Sequence, residues 1–258
     1  MNLSNNYATI YYNKITMNEN ILEVKDLSVL LDEQSVLNDL NFSVKKSETL
    51  AIIGPNGAGK SVLFRSLLGL IPYKGEIRWK SGIKIGYVPQ KLSVEKDFPL
   101  TVREFLEFKG DHRQIEDAVR STGINNPAIL NKKIGTLSGG ELQRIMIAWA
   151  IIGDPEVLLF DEPLTGIDIG GEETIYNLIY ELNRSRHTTL LLISHDLGVV
   201  YKYADTVLCL NKKQMCLGVP KDVINEDTER KLYGDMGTIH NHSHEVNFHH
   251  GGHHEINN

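Results

Sequence analysis

Three short stretches of this chain have the residue types and spacing of phosphate chemistry. The first is GPNGAGKS, residues 54–61. Gly54, Gly57 and Gly59 allow a backbone that turns with positive φ and approaches an anion closely. Pro55, Asn56 and Ala58 complete the loop, and Val62 follows it. The N–H groups of such a loop, with those of a helix opening at Lys60, form an anion cradle. Lys60 adds a point charge suited to β- and γ-phosphates, and Ser61 a hydroxyl suited to Mg²⁺. The pattern G-x-x-x-x-G-K-[ST] has this meaning only between a strand and a helix. TLAIIG before it and SVLFRSLLGL after it supply both.

The second stretch is VLLFDEP, 157–163. A buried strand ends in two adjacent carboxylates whose positions suit different tasks. Asp161 can accept from Mg²⁺-bound water, and Glu162 can orient or deprotonate an attacking water. The third is LSGGELQR, 137–144. Ser138, Gly139, Gly140 and Glu141 spell a capping box before the helix LQRIMIAWAI. The two glycines expose the first N–H groups of that helix to an anion.

These stretches need a scaffold. The first 20 residues contain six asparagines and no apolar periodicity, so 1–20 reads as a flexible extension, with Met17 as an alternative start. ILEVKDLSVLL and VLNDLNFSV read as strands either side of a polar break at 32–35. IRW and KIGYV are further short strands. From about Phe98 to Gly135 the pattern is helical, with a capping box at Thr101–Glu104 and a second helix in IEDAVRSTGI. LIYELNRS is helical and LLLIS a buried strand. Strands alternating with helices predict an α/β fold with a mostly parallel central sheet.

Composition narrows the function classes. The chain has 258 residues, 41% apolar and 23% charged, with net charge −6. That balance lacks a basic footprint for nucleic acid. No run reaches the roughly 18 apolar residues of a membrane span, and the N-terminus has no secretory pattern. The two cysteines, Cys209 and Cys216, face each other if VLCL and MCLG form a hairpin around Lys212-Lys213. A thiolate pair for metal or redox chemistry is open to them. The reading favoured here is two reduced core cysteines.

In order along the chain, these stretches resemble the ATP-binding-cassette ATPases. The likeness covers about residues 21–237, with a helical subdomain at about 91–140. It includes the Walker A loop at 54–61, the glutamine-loop residue Gln90 in YVPQ, and the signature at 137–141. Walker B ends at Asp161 and is followed by Glu162, TGID at 165–168, and His195 in LLLISHD. The resemblance implies a P-loop fold with an N-terminal antiparallel β subdomain. ATP and Mg²⁺ are the implied cofactors, with Ser61, Gln90 and Asp161 on the metal. Glu162, Gln90 and His195 are the implied catalytic residues. It also implies a head-to-tail homodimer, each ATP lying between one Walker A loop and the partner's Ser138–Glu141, and a membrane permease dimer as partner.

The chain departs from the family at three positions. Leu31 stands where an adenine-stacking aromatic is usual. Ser47 replaces a usual glycine before Glu48. Trp149 replaces a usual arginine in the helix after the signature.

KIGYVPQKLSVEKDFPLTVREFL is similar to the ATPase subunits of metal-uptake importers. ADTVLCLNKKQMCLGVP resembles the zinc-uptake branch in particular. That likeness implies an ATPase at the cytoplasmic face of the membrane, energising zinc uptake, with an extracytoplasmic metal-binding protein completing the machine. Manganese or iron import is the alternative. A soluble non-transport cassette ATPase, or a metal-storage or metal-sensing protein, are more distant ones.

The segment 238–258 reads as a flexible tail. His240, His242, His244, His249, His250, His253 and His254 fall in its last 19 residues. Neutral imidazole is the commonest zinc ligand among side chains, so these seven are candidate zinc ligands on compositional grounds.

Overall fold

The computed structural model describes residues 19–90, 94–162 and 169–234. The N-terminal extension, the TGID stretch and all seven tail histidines lie outside the described residues.

Two 12-residue strands, β1 (Asn20–Leu31) and β2 (Gln34–Lys45), pair antiparallel. β3 (Thr49–Ile53) then leads through the glycine-rich loop into α1 (Lys60–Leu67). β4 (Lys74–Trp79) pairs antiparallel with β1 and completes a three-stranded layer. β5 (Ile85–Val88) precedes a helical region containing α2 (Val102–Glu107) and α3 (His112–Ser121). α4 (Gly139–Ile151) leads to β6 (Val157–Asp161), α5 (Ile169–Arg186) and β7 (Thr189–Ile193). α6 (Leu197–Tyr203), the hairpin β8 (Thr206–Asn211) and β9 (Lys213–Gly218), and the short helices α7 (Pro220–Val223) and α8 (Glu226–Tyr233) finish the described chain.

The central strands run β8-β3-β7-β6-β5, all parallel, with β9 antiparallel on β8. One bridge, Asn38 to Lys213, joins this sheet to the antiparallel layer. β3, β6 and β7 are buried along their whole length, as parallel strands covered on both faces must be. Strand alternation divides their side chains between two cores. Leu50, Ile52, Leu159 and Leu191 pack with α1 and the antiparallel layer. Leu158, Phe160, Leu190 and Leu192 pack under α4 and α5.

Local chemistry sets the helix starts. The Thr101 hydroxyl accepts from the Glu104 N–H while the Glu104 carboxylate accepts from the Thr101 N–H, a complete capping box. Ser138 and Glu141 make the same reciprocal pair at α4.

The three departures now have surroundings. Ser47 sits at φ +64, in the left-handed region that favours glycine. Its N–H donates to Thr189 Oγ1 and its hydroxyl to the His187 carbonyl, which offset the cost. Trp149 stacks on Phe105 with ring centroids 4.3 Å apart. Lys109 lies 5.5 Å from the Trp149 ring centroid and donates to the Trp149 carbonyl at 2.8 Å. An α2-side cation thus ties the two helices together where the family usually has arginine. Leu31 is half-buried against the core of the antiparallel layer.

The cysteine expectation is corrected. Cys209 pairs directly with Cys216 across the hairpin, the Cα atoms are 4.8 Å apart, and the two form a disulfide. That separation lies within the ordinary disulfide range. Facing thiols in this register are close enough to join, which spacing in sequence alone did not decide. No helix among the described residues is long and apolar enough to cross a membrane.

Candidate nucleotide site

The glycine-rich loop leaves the C-terminal end of the central strand β3, the edge where parallel α/β sheets bind ligands. Gly54 takes φ +155, and a Cβ there would collide with the Leu210 carbonyl of β8. Gly59 takes φ +97, and a Cβ would lie 2.6 Å from Leu37 Cδ2. Both positions therefore require glycine. Gly59 is also the N-cap of α1 and makes no side-chain cap bond, so the first N–H groups of α1 face the loop without a side-chain partner. The Lys212 N–H donates to the Ala58 carbonyl and braces the loop against the β8–β9 hairpin.

Lys60 is buried, and its ammonium donates to the carbonyls of Gly54 at 2.8 Å and Pro55 at 3.2 Å. It also lies 3.6 Å from Glu162 Oε1. The Ser61 hydroxyl donates to Asp161 Oδ1 at 3.1 Å. Asp161 ends β6, is 3% exposed, and receives a second hydrogen bond on Oδ2 from the Tyr87 hydroxyl at 3.4 Å. Burial, set against the Ser61 bond, raises the Asp161 carboxyl above its usual range. Burial first, then the Asp161 charge, pushes the Tyr87 phenol up to about 12, so it remains a donor. Glu162 takes φ +46, its N–H donates to the Ile193 carbonyl, and Gln90 Nε2 donates to its Oε2 at 2.5 Å.

These groups surround a cavity of about 290 Å³ walled by Val36, Asn56, Gly57, Ala58, Gly59, Lys60, Ser61, Val62, Gln90 and Glu162. Loop, Lys60, Ser61, Gln90 and Glu162 were all expected at one site, and one cavity holds them. Leu31 is not among the lining residues, whereas Val36 of β2 is. Its period-2 position in a strand looked like core, so the sequence carried no signal for it. Tyr87 was likewise missed.

Two expected groups stand apart. His195 is exposed just beyond β7 and outside the cavity wall. Ser138–Glu141 lies at the start of α4, also outside it. There Lys132 lies 2.8 Å from Glu141 Oε1. That hydrogen bond, with the Ser138 N–H, holds the Glu141 carboxyl below its usual range. A Cβ on Gly140 would meet open space.

The model of the ABC transporter family matches residues 37–165. The chain belongs to the ABC transporter family. As a member it is an ATP-binding ATPase. It is 40% identical over 223 residues to the "Probable metal transport system ATP-binding protein" of Thermotoga maritima, covering 84% of this chain and 91% of that one. It is 38% identical over 215 residues to the zinc import ATP-binding protein ZnuC of Cereibacter sphaeroides, covering 83% and 88%. Among solved structures, cbiO1 from Clostridium perfringens, part of the ABC transporter complex cbiONQ, superposes with TM-score 0.68 at 28% identity, covering 84% and 96%. ABC ATPases of importers work with membrane permease subunits.

Proposed function

We propose that this ABC ATPase energises uptake of a divalent metal, zinc first, through a separate membrane permease. The observation that carries the chemistry is the placement of Ser61, Asp161, Lys60 and Glu162 around one glycine-rich loop. The relatives named for zinc import and metal transport support the cargo.

The donor set fits Mg²⁺–ATP. A hydroxyl and a buried carboxylate 3.1 Å apart are hard oxygen ligands of the kind Mg²⁺ takes. Ser61 and Asp161 would hold it, with Gln90 completing the set. A bound Mg²⁺ supplies neutralisation of the charge on the β- and γ-phosphates. Lys60 leaves its loop carbonyls for the phosphates, and the α1 N–H groups bind the oxygens. Lys60 then no longer faces Glu162, whose carboxylate takes the proton of the attacking water. Gln90 would orient that water beside Glu162, and His195, from the turn after β7, would meet the γ-phosphate.

The signature Ser138–Glu141 lies outside the cavity, and this supports a second copy delivering it head to tail. The seven tail histidines bind or sense zinc outside the catalytic site, and an extracytoplasmic metal-binding protein feeds the permease.

The test is reconstitution of the full chain with its permease in vesicles. ATP-dependent Zn²⁺ uptake, exceeding Mn²⁺ and Fe²⁺ uptake and lost in Glu162→Gln, is the expected result. ATP turnover indifferent to the permease would contradict the transport reading. Preference for Mn²⁺ or Fe²⁺ would move the cargo.

A further inference from the structure

Asp161 is held from both sides, and only one of its two partners belongs to the glycine-rich loop region. Its Oδ1 accepts from Ser61 at 3.1 Å, and its Oδ2 from Tyr87 at 3.4 Å. Tyr87 reaches it through strand register. Tyr87 pairs with Leu159 in the parallel β5–β6 ladder, and Asp161 lies two residues further along β6. Residues two apart on a strand share a face. Tyr87 and Asp161 therefore project to the same side of the sheet, the side covered by α1.

α1 holds the other half of the circuit. Ser61 and Phe64 lie three residues apart, on one face of the helix. Ser61 meets the carboxylate while Phe64 meets the Tyr87 ring edge-on, with centroids 6.4 Å apart and planes at 83°. Phe64 is fully buried, so the phenol ring is braced by a side chain with little room to move. A carboxylate with one oxygen anchored has a defined direction for the other.

We propose that Tyr87 is a positioning residue for the Mg²⁺-binding carboxylate: its hydroxyl anchors Asp161 Oδ2 and thereby presents Oδ1 beside Ser61. This rests on the Mg²⁺–ATP reading of the site. Tyr87 does not line the cavity, so it acts through Asp161 and touches no phosphate.

The experiment compares ATP binding by calorimetry, for the full chain, in EDTA and across a Mg²⁺ titration. Tyr87→Phe keeps the ring and removes only the hydroxyl. The Mg²⁺ concentration for half-maximal enhancement of ATP binding rises about fivefold, within the range for losing one ordinary hydrogen bond, as suits a contact of 3.4 Å. ATP affinity in EDTA stays at the wild-type value. Phe64→Leu is the second variant: it keeps the hydroxyl but loosens its brace, and raises the same midpoint by a smaller factor. An unchanged Mg²⁺ midpoint in folded Tyr87→Phe overturns the proposal. So does an equal loss of affinity with and without Mg²⁺, which marks a purely structural role. Should Tyr87→Phe not fold, an unchanged midpoint in Phe64→Leu overturns it instead. A wild-type chain that binds ATP no better with Mg²⁺ than in EDTA defeats the Mg²⁺–ATP reading itself, a distinct outcome.

Discussion

Gln90 Nε2 lies 2.5 Å from Glu162 Oε2, and Lys60 Nζ lies 3.6 Å from Glu162 Oε1. The carboxylate proposed to activate water is thus engaged through both oxygens before nucleotide arrives. Gln90 lies two residues beyond β5, on the way to the helical region, so its hold on Glu162 links that region to the chemistry. Gln90→Ala is expected to lower ATP turnover about tenfold, a modest share of what a positioned acid–base group supplies. ATP affinity is expected to stay within about twofold, because the loop and Lys60 hold the phosphates. Parallel calorimetry and phosphate-release assays check the split, and an equal loss in both contradicts it.

Val36 lines the cavity and Leu31 packs half-buried on the core. Neither has a π-face, and base stacking on an aromatic is worth about 1–3 kcal/mol. ATP and GTP are therefore expected to bind within about tenfold of each other, as competition against a fluorescent nucleotide will measure. A larger preference requires another group on the base.

Glu141 gives a pH prediction. Lys132 first, then the Ser138 N–H, holds its folded-state pKa below the ordinary value. Stability from a carboxyl with a depressed folded pKa is fully present above the unfolded pKa and is lost as pH falls through the folded one. Glu141→Gln keeps the capping box but removes the charge. The melting temperature of the wild type is expected to exceed that of Glu141→Gln at neutral pH, with the gap closing in acid. A gap independent of pH contradicts the linkage.

Trp149 and Lys109 bind α2 to α4 by stacking, a cation over a ring and one hydrogen bond. A double-mutant cycle of Lys109→Met and Trp149→Leu in urea unfolding is expected to give a coupling of about 0.5–1 kcal/mol. Additive effects would mean that Lys109 does not replace the usual arginine.

What was legible in the sequence was local. Gly54, Gly59, Lys60 and Ser61 are read from spacing because one loop and one helix start enforce it. The Thr101 and Ser138 capping boxes span four residues each. Asp161 and Glu162 were legible because an apolar run ends in them. What escaped depends on register or on distant packing. Tyr87 meets Asp161 only through the β5–β6 ladder, and Val36 meets the loop only because β2 folds over α1. That Cys209 faces Cys216 was legible from the hairpin pattern, and only their joining as a disulfide escaped it. Lys109 over Trp149 needed two residues 40 apart in sequence, one just beyond α2 and one in α4, to lie side by side.

The tail lies outside the described residues, and its zinc role stands on its histidines alone. Calorimetry is expected to show more Zn²⁺ bound by the full chain than by a chain ending at Gly237, with the excess lost near pH 5 as imidazoles protonate. Equal stoichiometry would remove the role.

The central claim is that Glu162 activates water for ATP held between two copies of this chain. Light scattering of Glu162→Gln with ATP and Mg²⁺, run beside its phosphate release, tests it most directly. The account predicts a stable dimer and turnover lowered by about a hundredfold or more. A monomer that still hydrolyses ATP near the wild-type rate would contradict it.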